Sequence, residues 1–263
     1  SISSLFIFLL GLFDDLKNTS PFIRLFVQII ISIFVWNSGI RIESLNIAWL
    51  NFPTIEFNSL ISLTLTLFWL VGITNAINWM DGLDGLASGI TGFASIGIST
   101  LAFQNGQLLA AYLSISLAGC CFGFLRLNFF PAKILMGDGG SYFIGFNIAI
   151  ISLLTISSET NPIGFFTPIV LLVIPISDMT YVLFSRLSKG LSPFLPDRRH
   201  IHHRLINLGF SELGSVIYIY GLTQLITVIA ICLGSSNNGI YLIFLLGSFF
   251  ISFFTFILAK KVL

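Results

Sequence analysis

Four short stretches of this chain gather residues able to do chemistry. Leu12-Phe-Asp14-Asp15-Leu-Lys17 sets two adjacent carboxylates at the end of an apolar run. Asn75-Ala-Ile-Asn78-Trp-Met-Asp81-Gly-Leu-Asp84-Gly-Leu places polar side chains at successive i+3 steps. Each step turns a helix by about 300°, so the four would drift around roughly half of one helix end. Asn128-Phe-Phe-Pro131-Ala-Lys133-Ile-Leu-Met-Gly137-Asp138-Gly-Gly-Ser141 puts a carboxylate in a glycine-rich turn before an apolar stretch. Backbone N–H groups at such a helix start favour phosphate, and Asp138 could hold a cation bridging to it. Asp197-Arg198-Arg199-His200-Ile-His202-His203-Arg204 clusters imidazoles with guanidiniums. No thiolate accompanies these histidines, so the excess positive charge fits phosphate better than zinc.

Taken singly, each stretch has an ordinary reading: a solvated helix end, a polar loop, a common Asp-Gly turn, a basic loop. Together they constrain one another. Two carboxylates about 6 Å apart at an effective dielectric near 20 repel by roughly 3 kcal/mol, so several at one surface recruit a counter-cation or shift their pKa values. Oxygen ligands select a hard divalent ion, most simply Mg²⁺, with Mn²⁺ as the alternative.

The elements that must position these groups are membrane helices. The 263 residues are 56% hydrophobic and only 9% charged, whereas a soluble domain carries about 25% charge. Mean hydropathy is +0.98. Apolar stretches fall at 1–13, 22–38, 57–74, 89–103, 108–125, 141–157, 163–185, 215–234 and 239–259, the first being a partial span. Helices satisfy their backbone internally, and a barrel would show alternating strands of about ten residues instead. The expected fold is therefore an all-α, polytopic transmembrane bundle of about nine segments forming one domain over 1–263. Its polar connections would lie at about 14–21, 75–88, 126–140 and 186–214.

Threading these segments alternately places Lys17, Arg24, Arg126, Lys133, Arg186, Lys189, Arg198, Arg199, Arg204, Lys260 and Lys261 on one side, against Arg41 on the other. The positive-inside rule makes that side cytoplasmic. The aspartates Asp14, Asp15, Asp81, Asp84, Asp138, Asp178 and Asp197 gather there too, while Glu43, Glu56 and Glu159 fall outside. A net charge of +1 offers no polyanion-binding surface, so nucleic acid is not an expected partner. Cys120, Cys121 and Cys232 sit in apolar runs without metal-ligand or disulfide spacing. The chain starts at Ser1 without an initiator Met, and further N-terminal sequence is expected to precede it.

At these residues the sequence resembles the polyprenyl-phosphate N-acetylhexosamine-1-phosphate transferases. The resemblance rests on Asp14-Asp15, on Arg24 with Gln28, on N-x-x-N-x-x-D-G-x-D-G-L at 75–86, on P-A-x-x-x-M-G-D-x-G-S at 131–141, and on D-x-x-H-x-H-H at 197–203. The last motif is similar to the branch that uses UDP-GlcNAc for cell-surface glycans such as O-antigen or teichoic acid. It implies transfer of a sugar 1-phosphate from a UDP-sugar to polyprenyl phosphate with release of UMP, at the cytoplasmic face of a bacterial inner membrane.

Carried over by position, Asp14 or Asp15 would engage or deprotonate the lipid phosphate, and Asp138 would bind Mg²⁺. Asn75, Asn78, Asp81, Asp84 and Asn128 would line the nucleotide-sugar cleft, with Lys133 beside it and Arg24 among the binding residues. His200, His202 and His203 would contact phosphate or sugar, His202 in a catalytic role. A homodimer stays open. Family members carry a uracil-stacking aromatic two residues before the Gly-Asp pair, where this chain has Leu135, and their first helices precede the Asp-Asp pair. The rival readings are an ion or solute transporter, with Asn75, Asn78 and Asp178 lining a path, and an inactive truncated homologue.

Overall fold

The computed structural model describes residues 2–45, 54–156, 166–192 and 199–234. The expected segment at 239–259, together with Glu159, Asp197, Arg198, Lys260 and Lys261, lies outside the described residues. The helices run α1 (Ile2–Lys17), α2 (Pro21–Asn37), α3 (Ser59–Met80), α4 (Leu86–Gln104), α5 (Leu108–Asn128), α6 (Gly137–Ile156), α7 (Phe166–Leu171), α8 (Val173–Leu187), α9 (Ile201–Asn207) and α10 (Glu212–Gly234). Between α2 and α3, β1 (Ser44–Leu45) and β2 (Ile55–Glu56) pair antiparallel, Ser44 opposite Glu56. This ribbon is a small departure from the all-α expectation.

Local sequence explains the boundaries. Ser20 caps α2 ahead of Pro21, whose missing N–H costs nothing at a helix start. The Asn58 side chain caps α3 by accepting from Ile61 N at 2.9 Å. The apolar run expected at 163–185 breaks at Leu172 into α7 and α8. Pro175 has no N–H to give the Leu171 carbonyl, so a continuous helix loses its bond there.

Among the described residues, five helices are long and apolar enough to cross a bilayer: α3, α4, α5, α6 and α10. With 16, 17 and 15 residues, α1, α2 and α8 are shorter, so the described residues support a helical membrane bundle without the full count of nine.

Helices α4 and α6 form the buried centre. Around them α5 and α10 pack on α4, and α1 and α3 on α6. The core joins Leu70, Ile77 and Met80 of α3 to Ile90, Ala94 and Ile98 of α4 and to Tyr142, Phe146 and Ile148 of α6. Phe6, Phe26, Phe34, Phe68 and Leu109 face outward, which in water would be a large exposed patch and in lipid is solvation. Some polar side chains inside the bundle pair across helices: Trp69 Nε1 donates to Ser152 Oγ at 3.0 Å, and Ser4 Oγ to Asn147 Oδ1 at 2.9 Å.

Candidate active site

The last turn of α3 presents Asn78, and Asp81 closes the helix as its C-cap. The chain turns through Gly82 to Gly85, whose φ of 80° opens α4 in the left-handed region. Across from this turn, α6 begins at Gly137. Asp15, Asn78, Asp81, Asp84, Asn128 and Asp138, with Leu135 and Met136, line one cavity of about 340 Å³ between them. A larger recess of about 730 Å³ between α1 and α2 is walled by side chains such as Phe6, Leu9 and Ile30 and offers no titratable group.

The polar wall residues other than Asp81 are held by hydrogen bonds. Asn78 Nδ2 donates to Asp138 Oδ1 at 2.6 Å and to Ser141 Oγ at 2.9 Å. Asp84 Oδ2 accepts from Ala132 N at 2.8 Å, and Asn128 Nδ2 donates to the Ile134 carbonyl at 2.9 Å while accepting from Ser88 Oγ at 3.2 Å. These two therefore clamp the 129–136 loop that carries Leu135 to the rim. Asn128 is only 2% exposed, a wall more than a substrate contact.

The two adjacent aspartates serve different partners. Asp14 turns inward, where its Oδ1 accepts from Thr19 N at 2.8 Å and Thr19 Oγ1 at 2.6 Å, and its Oδ2 pairs with Arg24. The Arg24 Nη1 also lies 3.9 Å from Asp138 Oδ2. Asp15 reaches α6, its Oδ1 accepting from Asp138 N at 2.8 Å and its Oδ2 from Gly139 N at 3.0 Å. This corrects the expectation that the amides opening α6 stand free for phosphate: two of them are engaged by a carboxylate.

The histidines join from the other side. On α8, Asp178 Oδ2 accepts from His200 Nδ1 at 2.8 Å and its Oδ1 from Ile201 N at 2.6 Å, fixing the start of α9. The His200 ring meets Trp79 edge-on at 5.6 Å and stacks on His202 at 5.7 Å, and His203 packs on His202 at 4.3 Å. The Arg186 guanidinium covers Trp79 at 5.2 Å. His202 Nε2 lies so near Gly82 that a Cβ there would meet it at 2.5 Å. His202 thus borders the Asp81 turn.

Of the residues expected to line the nucleotide-sugar cleft or lie beside it, Asn75 and Lys133 are not on the cavity wall. Asn75 faces α2, donating from Nδ2 to Gln28 Oε1 at 2.7 Å, and Lys133 is exposed on the loop. Sequence reasoning assigned no site role to Thr19 or Trp79, and placed Asp178 only in the rival transporter path. An ionisable residue inside an apolar run marked Asp178 as functional in kind, but nothing local named His200 as its partner. Tyr220 of α10 was also missed; its hydroxyl donates to the Gly85 carbonyl at 2.6 Å from 135 positions away.

Burial, with the charges of Asp138, Asp15 and Asp84, pushes the Asp81 carboxyl up to about 7. Burial also depresses His202, to about 4, with the neighbouring His203 and His200 adding to it. His202 is therefore a neutral ring in the folded protein. Its folded value lies below the ordinary 6.5, so the unfolded chain takes up the proton first as pH falls, and stability present above about 6.5 is lost progressively towards 4. We expect the thermal unfolding midpoint to fall across that window, and to fall less in His202→Gln; identical acid slopes for the two proteins would refute the assignment.

Among the described residues no group of three His, Cys, Asp or Glu side chains closes around one point, so an all-protein metal cage is not built. Mg²⁺ asks for less: one or two carboxylates, with waters and substrate phosphates completing the octahedron. Asp81 and Asp138 on one cavity wall fit that requirement; burial first, and the neighbouring carboxylates second, raise the Asp81 carboxyl.

Residues 1–156 match the family described as glycosyl transferase family 4. Over 257 residues the chain is 35% identical to a probable undecaprenyl-phosphate N-acetylglucosaminyl 1-phosphate transferase of Bacillus subtilis, covering 94% of this chain and 69% of that protein. It is 34% identical to a decaprenyl-phosphate N-acetylglucosaminephosphotransferase of Mycobacterium leprae over 80% of this chain and 58% of the relative. An undecaprenyl-phosphate alpha-N-acetylglucosaminyl 1-phosphate transferase of Yersinia pestis is 32% identical over 84% of this chain, which spans 61% of it. The match to the family takes in α1 to α6, the helices that build the carboxylate cavity, and the likeness to the Bacillus protein runs nearly the whole chain: this protein belongs to glycosyl transferase family 4.

Proposed function

We propose that this protein transfers N-acetylglucosamine 1-phosphate from UDP-N-acetylglucosamine to a polyprenyl phosphate, leaving UMP and a polyprenyl-diphosphate sugar that starts a cell-surface glycan. The observation that carries the reading is the meeting of Asp15, Asp81 and Asp138 with the Arg24 guanidinium and the His202 turn at one end of the bundle. A lipid phosphate at headgroup level meets a soluble nucleotide only at such an end. A transporter would instead set its polar groups near the midplane, within broken helices of two corresponding halves.

In the reaction an acceptor phosphate oxygen forms a bond to the β-phosphorus, the bridging P–O bond breaks, and UMP departs with the electron pair. Little covalent chemistry falls to the protein; its work is placement and charge. Arg24 draws the acceptor phosphate toward the cavity. Asn78 holds the Asp138 carboxyl in one rotamer. Neutral His202 offers one donor and one acceptor, which suits a sugar hydroxyl better than a phosphate. Asp138 and Asp81 would hold Mg²⁺, which would supply charge neutralisation to the diphosphate. The proposal extends to nine membrane segments with this site on the cytoplasmic side of a bacterial inner membrane.

Leu135 is 76% exposed at the cavity rim, where the family resemblance implies an aromatic stacked on the base. Base–aromatic stacking contributes about 1–3 kcal/mol, so Leu135→Tyr is expected to lower KM for the UDP-sugar about tenfold with little change in kcat; an unchanged KM would place the base elsewhere. The function itself is tested by incubating membranes containing the full-length protein with labelled UDP-N-acetylglucosamine, polyprenyl phosphate and Mg²⁺. UMP and lipid-linked label should appear together. Label in lipid without UMP, or neither, overturns the proposal.

A further inference from the structure

We propose that Asp15 is a positioning residue that caps α6 and so aims Asp138, and that it takes no proton from the acceptor phosphate. Both of its carboxylate oxygens accept backbone N–H groups of the first turn of α6, from Asp138 at 2.8 Å and Gly139 at 3.0 Å. Helix α6 has no cap of its own: Met136 precedes Gly137, and its side chain carries no oxygen. The cap comes instead from α1, 123 positions away. The backbone leaves room for it, since a Cβ on Gly137 would lie 2.8 Å from Asp15 Oδ2.

An anionic carboxylate at a helix start satisfies unpaired donors and meets the positive end of the helix dipole. A proton on Asp15 would weaken both bonds and release the turn bearing Asp138. The base role and the cap role therefore compete, and the geometry favours the cap. With Asn78 on Oδ1, Arg24 beside Oδ2 and Asp15 on the main chain, Asp138 is fixed from three sides.

The kinetic part of this inference rests on the proposed transferase activity; the cap itself does not. The test uses the full-length protein in nanodiscs with Asp15→Ala and Asp15→Asn, measuring amide hydrogen exchange across 137–140, Mn²⁺ binding by EPR, and the pH profile of kcat. Supporting groups behind a metal ligand typically contribute about 10–100-fold to metal affinity or activity. Asp15→Ala should lose Mn²⁺ affinity and kcat by that order, exchange its α6 amides faster and keep the shape of its pH profile. Asp15→Asn should fall between it and the wild type, because one amide oxygen still accepts, and it decides the matter if the alanine variant fails to insert. Unchanged exchange at 138 and 139, or an asparagine variant as inactive as alanine that has lost the acid limb of its profile, overturns the cap. A wild-type protein without transfer activity would instead sink the transferase reading, leaving the exchange and Mn²⁺ measurements to decide the cap alone.

Discussion

Asp138→Asn is expected to lower turnover about 10³-fold or more while membrane insertion and thermal stability stay near the wild-type values. The substitution keeps the shape and one carbonyl oxygen, so the 2.6 Å bond from Asn78 survives. What disappears is the negative charge. A hard divalent ion held by only one or two carboxylates depends on each of them, and the charge neutralisation such an ion supplies amounts to several kcal/mol at about 1.4 kcal/mol per factor of ten. Chelation with EDTA should reproduce the loss in the wild-type protein, and added Mg²⁺ should restore the wild type but not the variant. Turnover within a few-fold of normal in Asp138→Asn, or full activity after rigorous chelation, would remove Asp138 from the metal and leave the proposed mechanism without its cation.

The sequence made the gathering of polar groups visible, and it could not show how each was used. The i+3 series from Asn75 to Asp84 predicted side chains drifting around one helix end, but α3 stops at Met80: Asn75 and Asn78 lie on it, turned to Gln28 and Asp138, while Asp81 caps it at the cavity and Asp84 reaches the Ala132 amide from the turn beyond. The Asp14-Asp15 pair read as one unit, yet neighbours on a helix point about 100° apart, and each found a separate partner. One of these is near in sequence, Thr19; the other is 123 positions distant. Long-range choices of this kind depend on helix docking, which apolar composition leaves undetermined. The histidines followed the same pattern, since their spacing showed a cluster but only burial reveals that His202 is neutral. The break at Leu172 was locally legible in Pro175, whereas Tyr220 lies in an apolar helix with nothing to mark it.

Docking of α1 on α6 carries the largest structural prediction. Gly11 lies where the two helices touch: a Cβ there would sit 2.3 Å from the Asp138 carbonyl oxygen and 2.6 Å from the Gly139 Cα. These are backbone atoms at a capped helix start, so they cannot swing aside as a side-chain tip would. Gly11→Ala must push the end of α1 off the start of α6, at the level where Asp15 holds the Asp138 and Gly139 amides. Overpacking of this sort costs about 1–3 kcal/mol, and a displacement of about 1 Å in a reacting constellation can cost about 100-fold in rate. The expected result is a lowered unfolding midpoint together with about a 100-fold loss of turnover. Gly123→Ala serves as the control, because a Cβ on Gly123 of α5 meets nothing within 4 Å and alanine there removes only backbone freedom, worth about 0.5–1 kcal/mol of added helix stability. If Gly11→Ala matched Gly123→Ala in both midpoint and turnover, α1 could not be docked on α6 as described, and the junction that brings the Asp14-Asp15 pair to Asp138 would have to be rebuilt.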